Sequence, residues 1–308
     1  MDVRRAQTEQ MSEHPPGRAR RRALLIVNRR ARTGVRALDG VMTILEEGGI
    51  DIVESELASR DQVLAEVCES ASEIDMVILG GGDGTLNAAA PALVETGLPL
   101  GILPLGTAND LARTLGLPTD PEEAARVIVA GHLDRIDLGE VNGIFYFNVA
   151  SIGFSARLAR RLTSEAKRRW GAFGYALVAS RLVAESRPFL VQIEHDGKVE
   201  QSRTVQVSVG NGRYYGGGMA VEESATADDG RLDVYSLEVP NSWRLLTLAP
   251  ALRRGTQGAS KYVRSFSTTE LTLKTRRKHE VNADGELVTT TPAHFRVRPR
   301  AVKVFVPR

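Results

Sequence analysis

Apolar and polar positions alternate along the first 130 residues in blocks of two kinds. Ala23-Leu24-Leu25-Ile26-Val27 is a short, unbroken apolar run, the pattern of a strand buried on both faces. Val35, Leu38, Val41, Met42 and Leu45 then recur at helical spacing, and Gly48-Gly49 stops that helix. Residues 50–53 predict a second strand, and Val63, Leu64, Val67, Cys68 and Ala71 a second helix. Met76-Val77-Ile78-Leu79 is a third buried strand that runs straight into glycines. A helix over 86–94, bent by Pro91, a strand over 98–103 and a helix over 108–115 follow. Asp120 is an N-cap, with Pro121 at N1 and Glu123 completing a capping box, for a helix that ends at Gly131. Strand and helix in alternation predict an α/β domain with a mostly parallel sheet.

The period then changes from helical to twofold. Asn142-Gly143 joins apolar runs at 136–141 and 144–149, and Asp196-Gly197 joins 190–195 to 198–199, both two-residue hairpin signals. Further strands are expected at 204–209, 232–237, 270–274 and 301–306, with one helical excursion over 155–185. The reading is a polar, Arg-rich disordered tail (1–21), an α/β nucleotide-binding domain (22–135) and a mainly antiparallel β domain (136–308). Its last strand is a candidate to return to the first domain.

Composition narrows the function classes. In 308 residues, 42% hydrophobic and 25% charged side chains describe an ordinary globular chain, and a net charge of +2 gives no field that would select nucleic acid. One cysteine, Cys68, excludes an intrachain disulfide and a cysteine-rich zinc site. It falls on an apolar helical stripe, so it reads as a small buried hydrophobe, and a reducing, cytoplasmic setting is expected. No apolar run approaches the ~18 residues a bilayer span requires. Membrane contact, if made, is expected to be peripheral.

The candidate chemistry lies in two glycine turns. Gly80-Gly81-Gly82-Asp83-Gly84-Thr85 links a buried strand to a helix, where backbone N–H groups and the helix start favour an anion. Thr85 replaces the last glycine of a dinucleotide fingerprint, and no Lys-Ser/Thr follows as in a P-loop. An acid inside a phosphate loop repels its ligand unless a cation intervenes, so Asp83 points to a metal–nucleotide complex; a plain tight turn is the rival reading. Pro104-Leu105-Gly106-Thr107-Ala108-Asn109-Asp110 is a second such loop, at the same carboxyl edge where open α/β sheets bind ligands.

These two loops, read through Leu86-Asn87 and Leu111-Ala112-Arg113, resemble the paired signatures of the diacylglycerol kinase catalytic domain family, which includes bacterial YegS-like and diacylglycerol kinase B-like lipid kinases. The resemblance continues through Asn148-Val149-Ala150-Ser151-Ile152-Gly153-Phe154 and Asn211-Gly212-Arg213-Tyr214-Tyr215-Gly216-Gly217-Gly218. It ends in Asp228-Asp229-Gly230-Arg231-Leu232-Asp233 and Asp284-Gly285-Glu286. It implies an α/β domain followed by a β-sandwich, with the site in the cleft between them. It implies ATP as phosphate donor, Mg²⁺ as cofactor and a lipid alcohol such as diacylglycerol as acceptor. By the same resemblance, the nucleotide contacts are Asn28 to Gly34, then Gly81, Gly82, Asp83, Gly84, Thr85, Leu86 and Asn87, then Gly106, Thr107, Asn109 and Asp110. Glu286 is the implied proton acceptor; Asp229, with the carbonyls of Thr226 and Arg231, is the implied structural Mg²⁺ site. The chain departs from the family pattern at Asn28-Arg29, where Asn-Pro is usual, around Ser55-Glu56-Leu57, and at 221–224, which lacks an expected proline.

On the residues alone, Asp284-Gly285 reads as a plain hairpin turn and Asp228-Asp229-Gly230 as an acidic turn. Arg157, Arg160, Arg161, Lys167, Arg168 and Arg169, followed by Trp170, Phe173 and Tyr175, read either as a membrane-docking helix or as a solvated face beside core aromatics. Two rivals to a lipid kinase are an NAD kinase, which shares the Gly-Gly-Asp-Gly-Thr loop but not the second loop, and a non-catalytic nucleotide- or lipid-binding regulator.

Overall fold

The computed structural model describes residues 20–27, 36–56, 60–161, 186–212, 214–215, 219–220, 226–239, 260 and 262–308. Asn28, Gly34, the basic segment 162–169 with its aromatics, and 1–19 of the expected tail lie outside the described residues. Arg21 belongs to the first strand: its guanidinium donates to the Val129 carbonyl, and the Arg22 N–H to Asp75.

The first half builds β1 (Arg21–Val27), α1 (Arg36–Glu47), β2 (Ile50–Glu56), α2 (Arg60–Ser70), β3 (Met76–Gly81), α3 (Asp83–Thr96), β4 (Leu100–Pro104), α4 (Asp110–Thr114) and α5 (Pro121–Ala130). The strands pair in the order β2-β1-β3-β4, all parallel. Their continuous apolar runs follow from burial on both faces. Leu24, Ile26, Val77 and Leu79 pack against α2 and α3, while Ala23, Leu25, Met76 and Ile78 pack against α1 and α5. Asp120 accepts the Glu123 N–H at 3.0 Å and caps α5.

α3 begins at Asp83, three residues earlier than the apolar pattern predicts, because Asp83-Gly84-Thr85 form a first turn with no apolar face to announce it. Pro91 sits inside α3 without ending it, at an exposed position.

The second half adds β5 (Leu133–Val141), β6 (Ile144–Tyr146), β7 (Val149–Gly153), α6 (Phe154–Arg161), β8 (Phe189–His195), β9 (Lys198–Thr204), β10 (Gln206–Gly210), β11 (Tyr214–Tyr215), β12 (Met219–Ala220), β13 (Leu232–Leu237), β14 (Val263–Thr268), β15 (Glu270–Thr275), β16 (Glu280–Ala283), β17 (Glu286–Thr290) and β18 (Ala293–Phe305). The Asn142-Gly143, Asp196-Gly197 and Asp284-Gly285 corners all have positive φ at both residues, the backbone twist that joins antiparallel strands with a two-residue loop. A six-stranded sheet, β14-β13-β10-β7-β16-β17, faces the antiparallel part of the larger sheet. Between them lie Ile152, Val207, Val234 and Val281 from one side, and Val191, Leu271, Leu273 and Phe295 from the other.

β18 is far longer than the 301–306 strand expected. It pairs antiparallel with β15 and β5, and near its end Val304 pairs parallel with Leu100 of β4, so one sheet runs through both halves. Ala293–Arg298 alternates buried and exposed residues as a strand should, and a register shift between Arg298 and Val302, with Arg300 at φ 51°, separates this half from the 301–306 segment. No helix among the described residues is long and apolar enough to cross a membrane.

Candidate active site

The two glycine turns lie beyond the carboxyl ends of β3 and β4, which pair in register at Gly81 and Pro104. They interlock. The Gly81 carbonyl accepts the N–H groups of Leu105 (3.0 Å) and Gly106 (3.1 Å). Gly82 and Gly106 meet backbone to backbone: a Cβ on Gly106 would stand 2.5 Å from the Gly82 Cα. Glycine is needed here for close approach rather than for a rare dihedral. The second turn is shaped by Asn109, at φ 51°, whose Oδ1 accepts the Gly106 N–H (3.0 Å) while its Nδ2 donates to the carbonyls of Pro104 and Gly106. A short polar side chain that tolerates the left-handed region and closes its own turn is what this position requires.

Asp83 is where the sequence placed it, but its carboxylate has partners that sequence reasoning missed. Its Oδ2 accepts the N–H of Asp110 (3.1 Å), and its Oδ1 accepts the N–H of Leu111 (3.0 Å) and the Nδ2–H of Asn148 (3.4 Å). The acid therefore caps α4 from a neighbouring helix, satisfying donors that α4 cannot satisfy itself. This cap is by itself a reason for an acid to occupy the turn, whatever the turn binds. Thr85 packs over Gly81, Leu86 and Asn87 are buried, and Gly84 and Thr107 are exposed to an incoming ligand.

The β domain contributes the opposite wall. A Cβ built on Gly84 would lie 3.7 Å from Glu286 Oε1, so the carboxylate at the start of β17 faces the first turn of α3. Glu286 thus faces the turn that contains Asp83. Asp284, two residues before Glu286, holds this wall in place. Its Oδ2 accepts the Phe147 N–H (2.8 Å), its Oδ1 accepts the Val149 N–H (3.0 Å), and the Asn148 N–H lies within reach of both. Asp284 is half-buried as a residue, but its carboxyl is enclosed; desolvation, opposed by those N–H groups and reinforced by the nearby charge of Asp83, pushes its pKa up to about 6. Asn148 links the two acids, with its backbone N–H on Asp284 and its side chain on Asp83. Asp284 and Asn148 both lie in stretches that carry the family resemblance, but their partners cannot be read from their neighbours in sequence, since the contacts span 65 to 137 positions.

The acidic turn 226–231 lies elsewhere, against β5. The buried Asp137 accepts the N–H of Gly230 (2.6 Å) and of Arg300 (2.6 Å), and its own N–H donates to the Ala227 carbonyl. Burial holds the Asp229 carboxyl above its ordinary range; the Arg231 N–H opposes this, and the carboxylates of Asp137 and Asp228 add to it. Thr226, Asp229 and Arg231 are exposed. No group of three or more His, Cys, Asp or Glu side chains placed to hold a metal occurs among the described residues.

A parallel set of strands with two interlocked glycine turns at its carboxyl edge, faced by a carboxylate from an antiparallel sandwich, is the layout of a phosphotransferase built in two halves. Residues 22–141 match the diacylglycerol kinase catalytic domain, and residues 148–306 the YegS C-terminal NAD kinase β-sandwich-like domain. The chain belongs to the diacylglycerol kinase family of lipid kinases. It is 32% identical over 288 residues to a diacylglycerol kinase of Mycobacterium tuberculosis, covering 89% of this chain and 91% of that one. It is 34% identical over 233 residues to a "probable lipid kinase YegS-like" protein of Pseudomonas fluorescens, covering 75% and 77%. The fold superposes on the crystal structure of a Bacillus anthracis protein assigned as a diacylglycerol kinase, with a TM-score of 0.82 and 28% identity, over 94% of this chain and 98% of that one.

Proposed function

We propose that the protein transfers the γ-phosphate of ATP, with Mg²⁺, to the hydroxyl of diacylglycerol or a closely related lipid alcohol at a membrane surface. The observation that carries this reading is the placement of Glu286 against the Gly84 turn, which supports a base from one half of the molecule meeting a phosphate cradle from the other. The N–H groups of the interlocked turns hold the phosphates of ATP, with Gly81, Gly82, Gly84 and Gly106 allowing the approach and Thr85 and Thr107 adding hydroxyls. Glu286 accepts the proton of the lipid hydroxyl as its oxygen attacks phosphorus. Asp284 and Asn148 keep the two walls in register, so that attacking and leaving oxygens stay in line.

The residues fit Mg²⁺ at two places. The Oδ1 atoms of Asn87 and Asn148 are buried without a hydrogen-bond partner; Asn87 lies one helical turn from Asp83, and Asn148 donates its Nδ2–H to it, so both offer a hard oxygen suited to this ion or its water. Asp83, Asn87 and Asn148 would hold it there, where it would neutralise charge on the transferring phosphoryl group. At the second place, Asp229 crowded by Asp137 and Asp228 would gain from a cation, with the carbonyls of Thr226 and Arg231 completing a structural site.

Radiolabelled ATP supplied with a panel of membrane lipids tests the reading. Label enters diacylglycerol, and both Glu286→Gln and Asp83→Asn abolish transfer while the chain stays folded. Preferential phosphorylation of NAD, or substantial turnover in Glu286→Gln, would overturn it.

A further inference from the structure

A triphosphate brings roughly four negative charges to its site, and a divalent cation offsets about half of them. The site adds the carboxylates of Asp83 and Glu286. Backbone N–H groups stabilise an anion through partial charges alone, so a fixed cation has work left to do. The sequence around the turns supplies few. Between Arg60 and Arg126, a stretch that contains both glycine turns, Arg113 is the one lysine or arginine.

Arg113 stands in the last turn of α4, where a cation ordinarily faces the carbonyls at the helix end. Its side chain runs the other way. Helical side chains lean toward the N-terminus, and Nε of Arg113 donates to the Ala108 carbonyl at 3.0 Å, five positions back and inside the second turn. That bond uses one N–H. The paired Nη amino groups remain, on an exposed side chain that makes no ion pair among the described residues. Ala108 follows Thr107, the exposed hydroxyl of the turn, and precedes Asn109, which shapes it. The guanidinium is thus fastened to the rim of the phosphate cradle.

We infer that Arg113 is a phosphate-binding residue of this site, its Nη groups forking onto the phosphate chain of the bound nucleotide. A planar guanidinium matches two phosphate oxygens at once, and the bond to Ala108 fixes its position before the ligand arrives, so little side-chain freedom is lost on binding. The inference deepens the kinase reading and rests on it for the identity of the ligand.

Titration calorimetry of the full chain with MgATP and with adenosine, at several salt concentrations, tests it. Arg113→Met removes the fork; Arg126→Met removes one exposed charge from α5, where it pairs with Glu122 at 3.7 Å. Arg113→Met weakens MgATP binding about tenfold and leaves adenosine binding unchanged. Arg126→Met changes neither by more than about twofold. Arg113→Lys, which keeps a point charge without the fork, falls between wild type and Arg113→Met. The fall of MgATP affinity with salt, which an arginine that merely braced the turn would not alter, becomes shallower in Arg113→Met. Unchanged MgATP binding in Arg113→Met, equal weakening of MgATP and adenosine, or weaker binding with an unchanged salt dependence overturns the inference and leaves the kinase reading standing. A wild-type chain that binds no MgATP overturns both.

Discussion

Asp284 makes a measurable claim about stability and pH. Its carboxyl has an ordinary value of 3.8 and stands at about 6 in the folded chain, so between those values the folded protein holds a proton that the unfolded chain has released. Its contribution to stability is therefore fully present below about pH 4 and is lost as pH rises through about 6. At about 1.4 kcal/mol per pH unit, the displacement is worth roughly 3 kcal/mol. Asp284→Asn removes the titration while keeping the size of the side chain; its lost N–H acceptors add an offset that does not depend on pH. Urea unfolding of both proteins at half-unit steps from pH 4 to pH 7 isolates the term, because all other groups are common to both. The stability difference, wild type minus variant, should fall by roughly 2.5 kcal/mol across the range, the rest lying below pH 4. Two profiles that run parallel within about 0.5 kcal/mol, the ordinary error of such extrapolations, would refute the enclosed position assigned to this carboxyl.

Gly106→Ala places a methyl 2.5 Å from the Gly82 Cα and 2.6 Å from Asn109 Oδ1, forcing the two turns apart. A loss of about 1–3 kcal/mol is expected, with a raised KM for ATP in steady-state assays. Asp120→Ala deletes the cap of α5, far from the cleft, and should cost about 1 kcal/mol in denaturation while leaving turnover per folded molecule unchanged.

Much of the architecture could be read from local pattern. Buried runs such as 76–79, the Asp120 cap and the Asn/Asp-Gly corners are decided by neighbours in sequence, and the structure carries each of them. The misses have separate causes. The first turn of α3 reads as loop in the sequence because glycine, aspartate and threonine carry no apolar stripe, and Asp83 is tied instead to the backbone of α4. The first half of β18 is a different case: Ala293–Arg298 carries a twofold alternation legible in sequence, and only Arg298-Pro299-Arg300, at the shift in register, hides its continuity with 301–306. Of the site, Asp83, Glu286 and the two turns lie in motifs that the family resemblance marks. Asp284 and Asn148 lie in such motifs too, but what they hold, across more than 60 positions, is tertiary. Such contacts leave no periodic trace.

The ribbon formed by β5 and β18 belongs to both walls of the cleft at once, pairing with each other along their length while β18 reaches β4 at one end and β15 at the other. A molecule stitched in this way has no tether about which its halves could swing. Admission of a lipid and release of product must then come from torsion of that shared ribbon or from rearrangement of the loops at its rim. Cutting the chain after residue 141 would not free an independent lobe; it would strip β4 of its neighbour and leave an open sheet edge prone to self-association.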